Sequence, residues 1–299
     1  MEPLIVAYGY LSIDTITVSG RQHEGVPGGA ALYQALGARA AGARVALAAA
    51  VGDDYPDAWL AAFSDLGIDT RAVERRPGPT RRARIAHAAD GGRHSRHFDE
   101  ATWWERTAAL APVPLASRAA PDEPDLATLG PMPLAAARAI AARHPGKVVL
   151  DLSEAFASSE SEGWLALGPL LRCFAPSREE TRLLMPGLAD DEALDALAAR
   201  GIDTVQKRGA EGLSAAGRDL GLTDIPAEPV VVIDPTGAGD ATVGALAARL
   251  AAGDDLLAAA RTASRTGARA VTGIGPTALG FPIRLVDQPQ MSAAWPISN

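Results

Sequence analysis

Six short runs of aliphatic and β-branched residues alternate along the chain with longer segments in which Ala and Leu recur every three to four positions. The runs fall at 4–8, 44–50, 125–130, 147–152, 203–207 and 229–233 and read as strands. Helical periodicity covers 29–42, 56–66, 133–144, 178–185, 190–200, 238–251 and 254–270. This alternation predicts an α/β fold: a mostly parallel sheet with helices on both faces. Two polar-rich extended stretches break the rhythm, at 15–25 and 80–98. The second has two arms around Asp90-Gly91-Gly92, a hairpin signal, and carries many arginines with little continuous apolar character. Together they predict a small β flap over the main body. No internal repeat and no interdomain linker is visible, so all 299 residues read as a single domain.

Composition narrows the picture. Hydrophobic residues at 47% and charged residues at 21% are ordinary for a globular chain. A net charge of -8 and a pI near 5.2 argue against nucleic acid and anionic membranes as partners. The single cysteine, Cys173, excludes an internal disulfide and fits a reducing compartment. No apolar run reaches spanning length, and the N-terminus lacks a secretory pattern, so the expected location is the cytoplasm. Lys147 and Lys207 are the only lysines, and Asn299 is the only asparagine.

The chemistry concentrates in "DPTGAGDATVGAL" at 234–246. An apolar run precedes it and an Ala-rich helical pattern follows, so Gly237, Ala238 and Gly239 fall at a helix N-terminus. Free amide N–H groups and the positive end of the helix dipole favour an anion there. Asp240 lies in the same turn, where a site built only to hold phosphate would exclude a carboxylate. Known phosphate loops do not fit. The only Gly-Lys pair, Gly146-Lys147, lacks the rest of a Walker A loop, and Thr242 stands where a dinucleotide fingerprint needs its third glycine. A catalytic arrangement accommodates both features: amides hold charge on a transferring phosphoryl group, and the carboxylate accepts the proton of the attacking hydroxyl. The alternative is an acidic first-turn residue that only complements the dipole.

The segment "DPTGAGD" followed by a small-residue helix resembles the C-terminal signature of the ribokinase-like (PfkB) family of sugar and nucleoside kinases. The stretch "PGGAALYQALGARAAGARVALAAAVGDDYPDAWLAAFSDLGID" at 27–69 resembles its N-terminal signature. "GYLSID", "VQKRGAEGL" and "ARTASRTGARAVTGIGP" resemble the first strand, the nucleotide-site strand and turn, and the segment closing over adenine. The resemblance spans nearly the whole chain in the family's order. It implies a ribokinase-like central sheet with a β lid over the substrate, formed by the stretches at 15–25 and 80–98. It implies ATP as co-substrate, Mg²⁺ as cofactor, a small-molecule hydroxyl as acceptor and, in some relatives, a homodimer paired through the lid. It also implies site roles: Asp240 as base and Gly237, Ala238 and Gly239 as anion hole. Asp14, Gly28, Gly29 and Tyr33 would bind substrate. Ser177, Lys207, Gly209, Gly212, Thr236 and Gly267 would bind nucleotide, and Glu180 would organise the metal.

Three positions depart from the family's pattern. "SREE" at 177–180 keeps Glu180 in register but replaces the family's asparagine by Ser177, which reaches less far. The asparagine that often follows the Gly-Gly pair is Tyr33, and the early one is Ser12. Tyr33 together with "VVLDLSEAF" at 148–156 resembles the branch containing inositol kinases. The rival reading in another class is a catalytically silent sugar- or nucleotide-binding regulator of the same fold; retention of Asp240 and Glu180 argues against it. A vitamin-precursor kinase without a lid is a second rival, opposed by the hairpin. His94 and His97 lack companion ligands for zinc and read as exposed lid residues. Arg81, Arg82, Arg84, Arg93 and Arg96 read as solvated lid arms, one of which could reach a charged substrate. Trp103-Trp104 reads as core packing or, alternatively, as an aromatic wall for a ring.

Overall fold

The computed structural model describes residues 2–87, 93–96, 100–114 and 123–283. The chain opens with β1 (Leu4–Tyr8), β2 (Ser12–Val18), β3 (Arg21–Gly28), α1 (Ala30–Ala40), β4 (Arg44–Val51), α2 (Asp57–Asp65) and β5 (Ile68–Arg75). It continues through β6 (Arg84–His87), β7 (Arg93–Arg96), α3 (Glu100–Ala109), β8 (Leu126–Leu129), α4 (Leu134–Arg143) and β9 (Val148–Leu150). Then come α5 (Glu154–Ala157), α6 (Ser161–Leu165), β10 (Leu171–Phe174), α7 (Arg178–Leu184), α8 (Asp190–Ala199) and β11 (Thr204–Lys207). The hairpin β12 (Leu213–Gly217) and β13 (Leu220–Ile225) precedes α9 (Ala238–Ala251) and α10 (Leu256–Ala270).

Among the described residues the main sheet has nine strands in the order β13-β12-β11-β10-β9-β8-β1-β4-β5. From β11 to β5 all neighbours are parallel, and the β12–β13 hairpin closes one edge antiparallel. The central strands bury both faces: β1 and β8 are buried at every position, as expected where helices cover a parallel sheet on both sides. Two apolar clusters result. One contains Ile5, Leu47 and Val205 with the inner faces of α1, α9 and α10. The other contains Val6, Leu129 and Leu150 with α4 and α7. Helices α1 and α9 pack unusually closely. A Cβ on Gly37 would collide with the backbone of Ala241, and one on Gly244 with the backbone of Gln34.

A second, four-stranded sheet has the order β3-β2-β6-β7, with β2 and β6 parallel and the outer pairs antiparallel. It begins earlier than the polar stretch at 15–25, because β2 already includes Asp14. The Asp90-Gly91-Gly92 turn and His97 lie outside the described residues.

One expected strand is absent. The run at 229–233 has no strand pairing, and Val231 is 81% exposed. Ile233 N and Asp234 N both donate to Val271 O, just beyond α10. The backbone of the run is tied to the end of α10 and not to a strand, and apolarity alone does not distinguish a paired strand from an exposed ledge. The strands β5, β10, β12 and β13 and the helices α3, α5 and α6 add to the expected set.

Candidate active site

In an open parallel sheet, the carboxyl ends of the strands are where loops converge to make sites. Here β9, β10 and β11 deliver Asp151, Ser177 and Lys207 to that edge, with Ser177 and Lys207 joined by a backbone bridge. The glycine turn before α9 meets them. Gly237, at φ 76, adopts the left-handed conformation that lets the chain turn into the helix. A Cβ on Gly239 would sit 3.6 Å from Lys207 Nζ, so the ammonium lies directly beside the turn. Asp240 is in the first turn of α9.

These groups form one buried electrostatic unit. Lys207 Nζ donates to Asp151 Oδ1 in an ion pair shielded from solvent, and Asp151 also hydrogen-bonds the Asp240 carboxyl. Burial raises the pKa of Asp151 against the pull of the Lys207 charge. For Lys207, burial lowers the pKa, but Asp151 and Glu180 outweigh it and the ammonium is pushed up to about 12. Asp151 was not singled out from the sequence. The available signal was positional: a carboxylate directly after an apolar strand, where parallel-sheet sites form.

Glu180 occupies the third position of α7 in a reciprocal cap. Ser177 N donates to Glu180 Oε2 at 2.7 Å, and Glu180 N donates to Ser177 Oγ at 3.1 Å. The shorter serine side chain thus acts as a helix cap, which satisfies two end amides. Burial pushes the Glu180 carboxyl up to about 8, opposed by the Lys207 charge.

The residues expected to bind substrate gather at β2, β3 and the start of α1. Asp14 Oδ1 accepts from Ala83 N at 3.2 Å, and a side chain on Gly28 would collide with the Asp14 carboxylate. Gly29, at φ 96, caps α1 where a Cβ would meet Tyr10 O. The pair Gly28-Gly29 therefore brings bare backbone against Asp14. The "VGDD" turn holds the chain entering the second sheet: Gly52 N donates to Thr80 Oγ1, Gly78 N to Asp53 Oδ2 and Thr80 N to Asp54 Oδ1.

The other expected site residues have packing roles in the fold. Tyr33, expected at the substrate, packs its ring beneath Gly237, where a Cβ would strike it, and only 2% of it is exposed. Gly267, expected at the nucleotide, faces Thr242 Oγ1 and Ala238 O across the contact of α9 with α10. Gly212, at φ 99, approaches Ile225 O so closely that only glycine fits the hairpin entry. Gly209 has open space beside it. Thr236 Oγ1 meets His87 Nε2 at 2.9 Å, linking β6 of the second sheet to the turn before α9. His87 also lies 3.7 Å from Asp234, whose carboxylate is fully buried and accepts from Thr236 N and Gly275 N. Sequence reasoning missed this cross-sheet contact, because its partners are 149 residues apart.

A carboxylate set among helix-end amides, on a doubly covered parallel sheet with a small second sheet, is the architecture of kinases that phosphorylate hydroxyl groups. The chain belongs to the pfkB family of carbohydrate kinases, whose family model matches residues 2–284. Members use ATP as co-substrate. Cytidine kinase of Thermococcus kodakarensis is 28% identical over 84% of this chain and 90% of its own length. Two solved structures share the fold. The nucleoside kinase of Burkholderia thailandensis in complex with inosine matches with a TM-score of 0.76 at 22% identity, covering 93% of each chain. Ribokinase from Thermotoga maritima matches with a TM-score of 0.71 at 24% identity, covering 94% of this chain and 96% of its own.

Proposed function

We propose that the protein transfers the γ-phosphoryl group of ATP to a hydroxyl of a sugar, polyol, cyclitol or nucleoside, with Asp240 as the base. The observation that carries this reading is the Asp240 carboxyl beside the amides of 237–239, hydrogen-bonded to an Asp151 that is itself paired with Lys207. Asp240 takes the proton of the acceptor hydroxyl as its oxygen bonds to the γ-phosphorus. The bond from that phosphorus to the β–γ bridging oxygen breaks, and ADP leaves. The amides of the turn and the Lys207 ammonium stand where charge develops on the transferring group. Asp151 shares the proton that Asp240 acquires.

The donor set fits a metal held mainly by nucleotide phosphates. Among the described residues no group of three acidic, histidine or cysteine side chains could hold an ion alone, and Mg²⁺ in kinase sites keeps its waters and needs only one or two carboxylates. Glu180 is the carboxylate that would orient it through water, and the ion would neutralise phosphate charge. Asp14, Gly28 and Gly29 hold the acceptor. In this reading Ser177, Gly209 and Thr236 contact the nucleotide, and the exposed apolar residues at 230–233 offer a surface for adenine. The second sheet acts as the lid and, in this reading, offers a face through which two copies can pair. The relatives named above act on or bind both nucleosides and a sugar, so the acceptor is to be found by assay. A panel of hydroxyl compounds tested for ADP release is expected to reveal at least one acceptor that raises ADP release above the acceptor-free rate. ATP-independent binding of the same compounds with no ADP release from any of them would favour the silent regulator instead.

A further inference from the structure

The carboxylate of Asp234 is fully buried and is linked to the second sheet from two sides. On one side, His87 at the end of β6 brings Nε2 to 2.9 Å from Thr236 Oγ1 and 3.7 Å from Asp234 Oδ1. On the other, Gly275 N donates to Asp234 Oδ2 at 2.7 Å. A Cβ on Gly275 would lie 2.7 Å from Val26 Cγ1, so β3 rests directly on that glycine. Both links lead back to Asp14. Val26 is its register partner between β2 and β3. Ala83, just before β6, donates from N to Asp14 Oδ1 and accepts at O from Thr15 N at 2.9 Å. From there β2 and β6 run in parallel register as far as Thr17 and Ala86, and His87 is the next residue.

The far end of this connection is the glycine turn. Thr236 N donates to Asp234 Oδ1 at 3.0 Å, and Gly237 follows at once in the left-handed conformation. Two bonds on Thr236 therefore set the flank of the turn: one to its backbone from within the same loop, one to its hydroxyl from the second sheet. His87 faces both Thr236 and Asp234 with the same ring nitrogen. The three residues thus do not form a nucleophilic relay, which needs the carboxylate on the other nitrogen. What the arrangement does provide is a connection. Among the described residues His87 is the only basic side chain within ion-pair distance of Asp234. A hydrogen bond in such a buried place is not readily exchanged for one to water, so a shift of β6 is passed on to Thr236.

We infer that His87 is a positioning residue that couples the two half-sites, setting the glycine turn through Thr236 according to the place of the strands that hold Asp14. This goes beyond the kinase reading and rests on it. Coupling between binding sites is reciprocal. An acceptor that fixes Asp14 and Ala83 holds the turn ready for phosphate. A nucleotide on the turn holds β6, and with it β2, in place for the acceptor. An enzyme arranged in this way completes its anion site only when the acceptor is present, which reserves the reaction for the acceptor hydroxyl over water.

The test reads the coupling from the nucleotide side, with ADP and Mg²⁺ as the probe. Calorimetry gives ADP binding, and amide hydrogen exchange is followed in segments 13–17 and 84–87 with and without ADP. The proteins are the wild type, His87→Leu, His87→Gln and Thr236→Val, and thermal melts establish that each is folded. In the wild type, ADP is expected to slow exchange in both segments by about fivefold or more, the low end of ordinary coupling between sites. His87→Leu should abolish that slowing while ADP still binds. Thr236→Val cuts the same contact from the other end and should give the same loss. His87→Gln, whose amide reaches about as far as Nε2, should recover part of the effect. A histidine that only packs would lower the melting temperature on replacement and leave the ADP effect in place. Exchange in 84–87 that ignores bound ADP in the wild type, or slowing that persists in His87→Leu, overturns the inference while leaving the kinase reading intact. Failure of the wild-type protein to bind ADP at all would remove the kinase reading, and the coupling with it. Should His87→Leu fail to fold, Thr236→Val decides alone: slowing that persists there overturns the inference.

Discussion

At the scale of single residues, Asp240, Asp151 and Glu180 are three carboxyls whose surroundings set different tasks. Asp240→Asn removes the proton acceptor at constant size, so kcat is expected to fall by about 10²–10⁴-fold. If Asp240 only complements the helix dipole, the same variant would keep its turnover and lose roughly 0.3–1 kcal/mol of stability; melting curves and initial rates on one sample separate the two. Asp151→Asn strands the Lys207 ammonium in a buried site, and breaking such a pair costs about 3–5 kcal/mol. Adding Lys207→Met should restore much of that stability while turnover stays low, a pattern that a purely structural pair would not give. Glu180 retains its proton in the fold up to about 8, against an ordinary value of 4.5. Between those values the folded state binds more protons than the unfolded state, so stability falls as pH rises through that window. Chemical denaturation of Glu180→Gln across the same range should show a flatter profile; an unchanged slope would assign it to other groups. The sequence displayed Asp240 plainly, because its motif is contiguous. Asp151 was hidden, since its meaning comes from Lys207, 56 positions away.

At the scale of elements, the long periodic helices and the buried central strands were legible because one-dimensional apolar spacing maps directly onto a covered face. The limits of that reasoning show at 229–233 and at β12–β13. The first is apolar yet unpaired; the second forms a sheet edge from Ser-, Gly- and Asp-containing segments with weak alternation. Pairing is decided by which strand reaches an edge, and no local pattern records it. Tyr33 shows another limit: its motif position does not reveal that the close approach of α1 to α9 sets its ring under Gly237. That approach depends on Gly37 and Gly244. Gly244→Ala would drive a methyl into the Gln34 carbonyl, and overpacking of this kind costs about 1–3 kcal/mol. We expect a lowered melting temperature together with weaker nucleotide binding, because the displaced helix carries the amides of the turn. A normal nucleotide affinity in a destabilised Gly244→Ala protein would show that the turn is positioned independently of the helix contact.

At the scale of the whole molecule, a thick sheet with two apolar clusters supports a thin second sheet whose outer strands, β3 and β7, each have a single neighbour. Backbone amides of β2, β3 and β6 should therefore exchange with solvent faster than those of β1 or β8, and slow when acceptor and nucleotide are both bound. Exchange that ignores both ligands would argue against a closing lid. The His87–Thr236 contact predicts where the slowing should be strongest, since it joins the sheet proposed as the lid to the turn proposed to hold phosphate. The glycine contacts between α1 and α9 have the opposite consequence. Gly29 begins one helix and Gly237 begins the other, so the turns proposed as the acceptor cradle and the phosphate cradle are the two ends of a single welded joint. Warming can loosen the cover above them, but it cannot open a gap between the cradles short of melting the joint itself. Affinity for nucleotide should thus survive to the global transition, while turnover, which also needs the cover, declines sooner.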